Sequence, residues 1–255
     1  INSNFNSVDN KLCITGFNYG TDYKIKVNKG FEGFESKLYK SRLAELSVPN
    51  RTPSIRFQRD KYVLTKADKM TVPLKVVNTD KIDIKVYKIP GQLVNEVRDY
   101  DYEFSDYSLN SFIKAKGTKV WQGQAFVENF PKNEEFTMQL NIFGDNEAIE
   151  EGIYIVSAKS KGNYYPQTQW LVISDIGITA YFGREEIRVQ TRSLSNAKPL
   201  PNHKVSVIAK NNIVLSEAFT DQDGFVSFSR GVFEDIDGNE AFAIKAEKID
   251  RELQQ

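Results

Sequence analysis

Lys81-Ile82-Asp83-Ile84-Lys85-Val86 sets three β-branched apolar side chains on one side of an extended backbone and three charges on the other. Side chains on a strand repeat every two residues, so this hexapeptide reads as an antiparallel strand with one face on a core and one in water. Glu186-Ile187-Arg188-Val189-Gln190-Thr191-Arg192 repeats the pattern. Tyr154, Val156 and Ala158 begin a similar strand after Gly152, and residues 204–209 form another after the Pro199-Leu200-Pro201-Asn202 break. Turn signals separate these strands and no helical period intervenes. The expected fold class is therefore all-β, with tandem antiparallel β-sandwiches rather than βαβ units.

Composition points the same way. Val, Ile, Thr and the aromatic residues make up a third of the 255 residues, and these side chains favour a pleated, half-buried backbone. Lys and Arg number 34 and Asp and Glu 34, so no field of one sign steers the molecule toward a polyanion, and no nucleic acid is expected as partner. One His and one Cys exclude a zinc site and an internal disulfide. The longest apolar runs, such as 170–173, are far short of the ~20 residues of a spanning helix. Residue 1 is Ile, with no basic and apolar leader behind it, so a processed or excised fragment is expected, with any export signal or membrane anchor outside these residues.

Two prolines in Leu46-Ser47-Val48-Pro49-Asn50-Arg51-Thr52-Pro53 disfavour continued pairing and place a boundary near residue 52. Trp170-Leu171-Val172-Ile173-Ser174-Asp175-Ile176-Gly177-Ile178 reads as the last strand of one module running almost directly into the first of the next, with a boundary near 174. The expected modules are 1–51, a small or partial β domain; 52–174, one sandwich; and 175–255, another. Fifty-one residues bury too little surface to stand alone comfortably. Phe219-Thr220-Asp221-Gln222-Asp223-Gly224-Phe225-Val226-Ser227-Phe228 reads as a hairpin, with Gly224 supplying a positive φ. Residues 95–119 break the alternation and read as a short helix or a loop packed by its own rings.

Each group with chemical potential has a plainer reading. Asp99, Asp101, Glu103 and Asp106 are oxygen donors of the kind that bind Ca²⁺ or hydrolyse glycosides, but no turn glycine or terminal Glu of a calcium loop accompanies them; a solvated, aromatic-anchored loop is the simpler reading. Asp221, Asp223 and Gly224 begin like a calcium loop and continue as a strand. His203 is a turn residue with no second His, and Ser206 is too close along one strand to build a triad with it. Cys13, between Leu12 and Ile14, behaves as a small hydrophobe, and no Gln stands three residues on to form a thioester. Trp121 and Trp170 read as core anchors of the 52–174 sandwich. No nucleophile elbow, Walker loop, dinucleotide fingerprint or His-Glu-x-x-His is present. No catalytic, cofactor-binding or metal residue is expected.

Several phrases taken together resemble the N-terminal macroglobulin-like domains of bacterial alpha-2-macroglobulins. They include Val72-Pro73-Leu74-Lys75-Val76-Val77-Asn78-Thr79, Val120-Trp121-Gln122-Gly123 and Gly152-Ile153-Tyr154-Ile155-Val156-Ser157-Ala158. Gln169-Trp170-Leu171-Val172-Ile173-Ser174-Asp175-Ile176-Gly177-Ile178-Thr179-Ala180 is the most telling, followed by Ser193-Leu194-Ser195-Asn196-Ala197-Lys198-Pro199-Leu200. Thr15-Gly16-Phe17-Asn18-Tyr19-Gly20 resembles the end of a preceding domain, with Tyr19 where a proline is usual.

The resemblance implies tandem sandwiches similar to fibronectin type III and immunoglobulin modules, within a longer periplasmic lipoprotein anchored at the inner membrane. Such a protein is a broad-spectrum protease inhibitor that traps its target after a bait region is cut, often through a Cys-Gln thioester. Neither element lies in these residues, so the resemblance carries over no functional residue. The implied partners are proteases through the full-length protein, neighbouring macroglobulin domains and, by analogy within the family, a periplasmic penicillin-binding protein. No cofactor is implied. The alternative is a surface or periplasmic adhesion or ligand-binding module using the tyrosines of 99–107; a carbohydrate-active enzyme rests only on acidic and aromatic content.

Overall fold

The computed structural model of the protein describes residues 14–32, 36–58, 61–65, 69–91, 111–113, 115–144, 149–234 and 239–249, with two short strands at 7–8 and 11–12. Its strands fall into three groups that share no sheet. In the first, β1 (Ser7–Val8) pairs with β2 (Lys11–Leu12), and β3 (Thr21–Val27) pairs with β4 (Arg42–Val48) as an antiparallel ribbon. Tyr23, Ile25 and Val27 alternate with exposed Lys24 and Lys26, yet no described residue from 14 to 51 is buried. A two-stranded ribbon has no second layer to close on.

The second group is a sandwich. One sheet is β5 (Ser54–Phe57), β7 (Thr71–Val77) and β10 (Phe136–Asn141); the other runs in the order β6 (Lys61–Leu64), β12 (Gln167–Ile173), β11 (Gly152–Ser160), β8 (Lys81–Ile89), β9 (Thr118–Phe126). The period-two residues Ile82, Ile84 and Val86 of β8 face Val72, Leu74 and Val76 of β7, and all six are buried in one core. The pairing is antiparallel except that β6 runs parallel to β12. Consecutive strands β5 and β6 lie in different sheets, so the chain crosses the sandwich near residue 58 and leaves β6 beside the last strand.

Trp121 and Trp170 occupy different surroundings. Trp121 packs against the core from β9, lying over Gly123, whose added Cβ would stand 2.3 Å from the ring. Trp170 instead points out of the sandwich. It joins Tyr87, Ile89, Ile153 and Ile155 on the outer face of the five-stranded sheet, where Phe112 and Ile113 of a helical stretch cover them; Phe112 meets Trp170 edge-on at 6.4 Å. Placing Trp170 between the sheets is thereby corrected. In Gln169-Trp170-Leu171-Val172-Ile173 the inward positions are the odd ones, which leaves Trp170 on the other face.

The third group follows almost without a linker, since β12 ends at Ile173 and β13 (Ile176–Phe182) begins at Ile176. One sheet is β13, β14 (Glu186–Ser193) and β17 (Phe225–Ser229); the other is β16 (Val214–Phe219), β15 (Lys204–Ala209) and β18 (Ala241–Glu247). Ile187, Val189, Val205, Val207 and Phe228 form its core. The turn at 220–224 has the expected local chemistry: Gly224 has φ 77°, and the Asp221 carboxylate accepts from the backbone N–H of Asp223 and Phe225 at 2.9 and 2.8 Å. It is not a hairpin, however, because β16 pairs with β15 and β17 pairs with β14. Thr220 donates its N–H to His203 and Gly224 accepts from Thr191, so each arm is drawn into a different sheet. A Cβ on Gly224 would stand 2.4 Å from the Thr191 carbonyl oxygen. Gly224→Ala is therefore expected to destabilise this sandwich by about 2 kcal/mol, from the left-handed φ and the close backbone approach, read from the midpoint of urea unfolding by circular dichroism.

Candidate functional site

Among the described residues, two networks of polar side chains lie at the joints between the strand groups. At the first, Asn78 opens the tight β7–β8 turn and Asn133 lies in the β9–β10 loop, both in the left-handed region at φ 45° and 69°, which asparagine tolerates better than most residues. Their side chains grip the connecting segment. Asn133 Oδ1 accepts from the Arg51 backbone N–H at 2.8 Å and from Asn78 Nδ2 at 3.0 Å. Asn78 Nδ2 also donates to the Arg51 carbonyl at 2.6 Å, and Asn133 Nδ2 donates to Asn50 Oδ1 at 2.9 Å. From the first group, Gly20 donates its N–H to the Pro49 carbonyl, and the Arg51 guanidinium stands 5.9 Å from the Tyr19 ring centroid. An added Cβ on Gly20 would stand 2.3 Å from Asn50 Oδ1. The linker is thus held from both sides.

Glu135 sits below this network, 2.7 Å from Lys75, 3.9 Å from Arg51 and 4.0 Å from Arg56. The Lys75 hydrogen bond, with the charges of Lys75, Arg56 and Arg51, holds its carboxyl below the ordinary value near 4.5. A depressed carboxyl stabilises above its unfolded value, and that stabilisation is lost as pH falls through the folded value. Glu135→Gln should therefore lose less stability than the unsubstituted protein between about pH 5 and about pH 3, checked by urea titration at each pH. Beside the network lies a cleft of about 460 Å³ lined by residues including Arg51, Asn78, Phe130, Lys132 and Phe136.

The second joint uses the same device. Ser174 donates its N–H to the Leu64 carbonyl of β6 at 3.0 Å, while its hydroxyl accepts the N–H of Ile176 at 3.0 Å. Asp175 Oδ1 accepts from both the backbone N–H and the hydroxyl of Ser195, at 2.8 and 2.5 Å, and its carbonyl accepts the N–H of Leu194. Bonds from Ser195 and Ser193 hold the Asp175 carboxyl below its ordinary value near 3.8.

Of the residues singled out in the sequence, Asp221 spends its carboxylate on its own turn, and Asp223 and Gly224 complete that turn. His203 is a turn residue whose N–H donates to Thr220 Oγ1, with Nδ1 3.0 Å from the Pro201 carbonyl. Ser206 is buried on β15. Asp99, Asp101, Glu103, Asp106 and Cys13 lie outside the described residues. Among the described residues, no three His, Cys, Asp or Glu side chains gather to hold a metal ion, and no helix is long and apolar enough to cross a membrane. In the sequence, Val77-Asn78-Thr79-Asp80 and Pro131-Lys132-Asn133 carry only turn chemistry, and nothing in them marks Asn78 and Asn133 as partners across a joint.

Residues 56–172 match the family model of the bacterial alpha-2-macroglobulin MG2 domain, and residues 173–254 match that of the MG3 domain. An alpha-2-macroglobulin homolog of Yersinia pestis is 26% identical over 205 residues, covering 71% of this chain and 10% of that protein. The alpha-2-macroglobulin of Rickettsia conorii is 23% identical over 224 residues, covering 80% and 12%. The chain thus spans about a tenth of the length of these curated relatives. A crystal structure of native alpha-2-macroglobulin from Escherichia coli, spanning domains MG0-NIE-MG1, superposes with a TM-score of 0.67 at 20% identity, over 91% of this chain and 73% of that one.

Proposed function

Because the chain belongs to the bacterial alpha-2-macroglobulin family, we propose that it is part of the non-catalytic framework of a broad-spectrum protease trap. Residues 1–51, 52–174 and 175–255 act in this reading as the end of one macroglobulin-like module and two further modules. The observation that carries it is that two macroglobulin-domain models match back to back from residue 56 to 254. The joints fit the reading, since short linkers held by hydrogen bonds on both sides transmit geometry better than flexible ones. The parent protein works in the periplasm, anchored at the inner membrane. Its partners are proteases, engaged by the whole molecule, neighbouring modules and a periplasmic penicillin-binding protein.

The test incubates the full-length protein with a protease and follows a large protein substrate and a small peptide side by side. The large substrate should be spared while the peptide is still cut, and the 255-residue chain alone should inhibit neither. Degradation of the large substrate at the uninhibited rate overturns the reading.

A further inference from the structure

Residues 127–133 of the β9–β10 loop are pinned at both ends to the β7–β8 turn. The Val127 N–H donates to the Asp80 carbonyl at 2.9 Å, and the Asn133 N–H donates to Asn78 Oδ1 at 2.7 Å. The turn is itself braced by buried Thr79, whose hydroxyl donates to the Val77 carbonyl at 3.0 Å. The walls that these two segments give the 460 Å³ cleft at the first joint are therefore formed before any ligand arrives. That volume lies in the range of about 300–1,000 Å³ usual for small-ligand sites.

One side of the cleft is a flat aromatic platform. Phe136 packs against the core of the second sandwich, and Phe130 lies on it with ring centroids 3.5 Å apart and planes tilted by 3°. Phe136 thus covers one face of Phe130. The ring is still 49% exposed, so its other face is open. Asp80, Asn129 and Lys132 line the same cleft and are exposed. Among the described residues, none of these three side chains makes a hydrogen bond or an ion pair. Asn50, Asn78 and Asn133, by contrast, spend theirs on the joint.

The three unspent groups differ in a way that selects a ligand. A carboxylate only accepts, an ammonium only donates, and an amide does both. The charges of Asp80 and Lys132 also cancel, so together they favour neither sign. A ligand that satisfies all three is neutral, carries donors and acceptors around its edge, and has an apolar face for Phe130. A proline or phenylalanine side chain has the face without the polar edge. A pyranose with equatorial hydroxyls has both: each hydroxyl donates and accepts, and the axial C–H bonds meet the negative face of an aromatic ring.

The geometry points to a glycan-binding site at the first joint. Phe130 stacks on a neutral, equatorially substituted hexopyranose, and Asp80, Asn129 and Lys132 hydrogen-bond its hydroxyls. The site binds without cleaving, because Asp80 is the one carboxylate among the described residues of the cleft, and glycoside hydrolysis uses a pair.

Titration of the 255-residue chain with cellotetraose, followed by backbone amide NMR, tests the site. Shifts should gather at 78–80 and 127–133 and saturate with a Kd of about 0.1 to 1 mM. Phe130→Ala should weaken binding about tenfold, and Asp80→Ala about fivefold. Tyr164→Ala, which removes an exposed ring outside the cleft, should leave the affinity unchanged. Urea midpoints from tryptophan fluorescence show that each variant is folded. Absence of shifts up to about 20 mM cellotetraose, or an affinity that Phe130→Ala leaves unchanged, overturns the inference. So does an equal loss in Tyr164→Ala, which would mean unspecific contact with exposed rings. Tighter binding of a decaproline peptide than of cellotetraose would make a peptide the occupant and overturns it too. None of these readouts involves a protease, so failure to trap leaves the test intact.

Discussion

Leu171→Ala is expected to lower the unfolding free energy of the second sandwich by about 3 to 5 kcal/mol. Leu171 is fully buried on the inward face of β12, in the core that Val72, Leu74, Ile84 and Val156 share. Truncation removes the transfer free energy of the lost carbons and leaves a void that two hydrogen-bonded sheets cannot close, because their spacing is set by the remaining side chains. Both tryptophans of the chain belong to this sandwich, so their fluorescence in urea reports its unfolding alone. The control is Val63→Ala on the edge strand β6, where Val63 is exposed; it should cost less than about 0.5 kcal/mol. Similar costs at the two positions would mean that Leu171 does not sit between two layers.

Asn133→Ala should cost about 3 kcal/mol. Three of its side-chain hydrogen bonds reach Arg51, Asn78 and Asn50; their loss strands the Arg51 N–H at a partly buried position and leaves the Asn78 Nδ2 with its bond to the Arg51 carbonyl alone. Alanine is also strained at φ 69°. Asn133→Gly separates the two causes. It relieves the backbone and not the hydrogen bonds, so it should recover about 1 kcal/mol of the loss. Full recovery with glycine would show that the network contributes little. The same fluorescence titration measures all three proteins.

The alternation in Lys81-Ile82-Asp83-Ile84-Lys85-Val86 was legible because it states which face is buried, and the all-β sandwiches follow from it. The unbroken apolar run at 153–156 carried a further signal: a strand buried on both faces lacks alternation. Read that way, it announces the cover that Phe112 and Ile113 provide, and with it the outward place of Trp170. The 220–224 turn shows where local reading stops. Asp221 and Gly224 specify the turn, but which sheet each arm joins depends on β14 and β15, distant in sequence. The joints were invisible for the same reason, since Asn50, Asn78 and Asn133 are ordinary turn residues until the fold brings them together. The family resemblance needed no such assembly, because it rests on phrases in order, and the matches at 56–172 and 173–254 bear it out.

The joints at Asn133 and Asp175 tie the strand groups together through hydrogen bonds. A spin-label distance measurement across the first joint tests this tie, with labels at the exposed positions Lys40 and Lys161 in a Cys13→Ser background. The account predicts one narrow distance distribution that broadens when Asn133→Ala is introduced. A distribution already broad with Asn133 in place would contradict it.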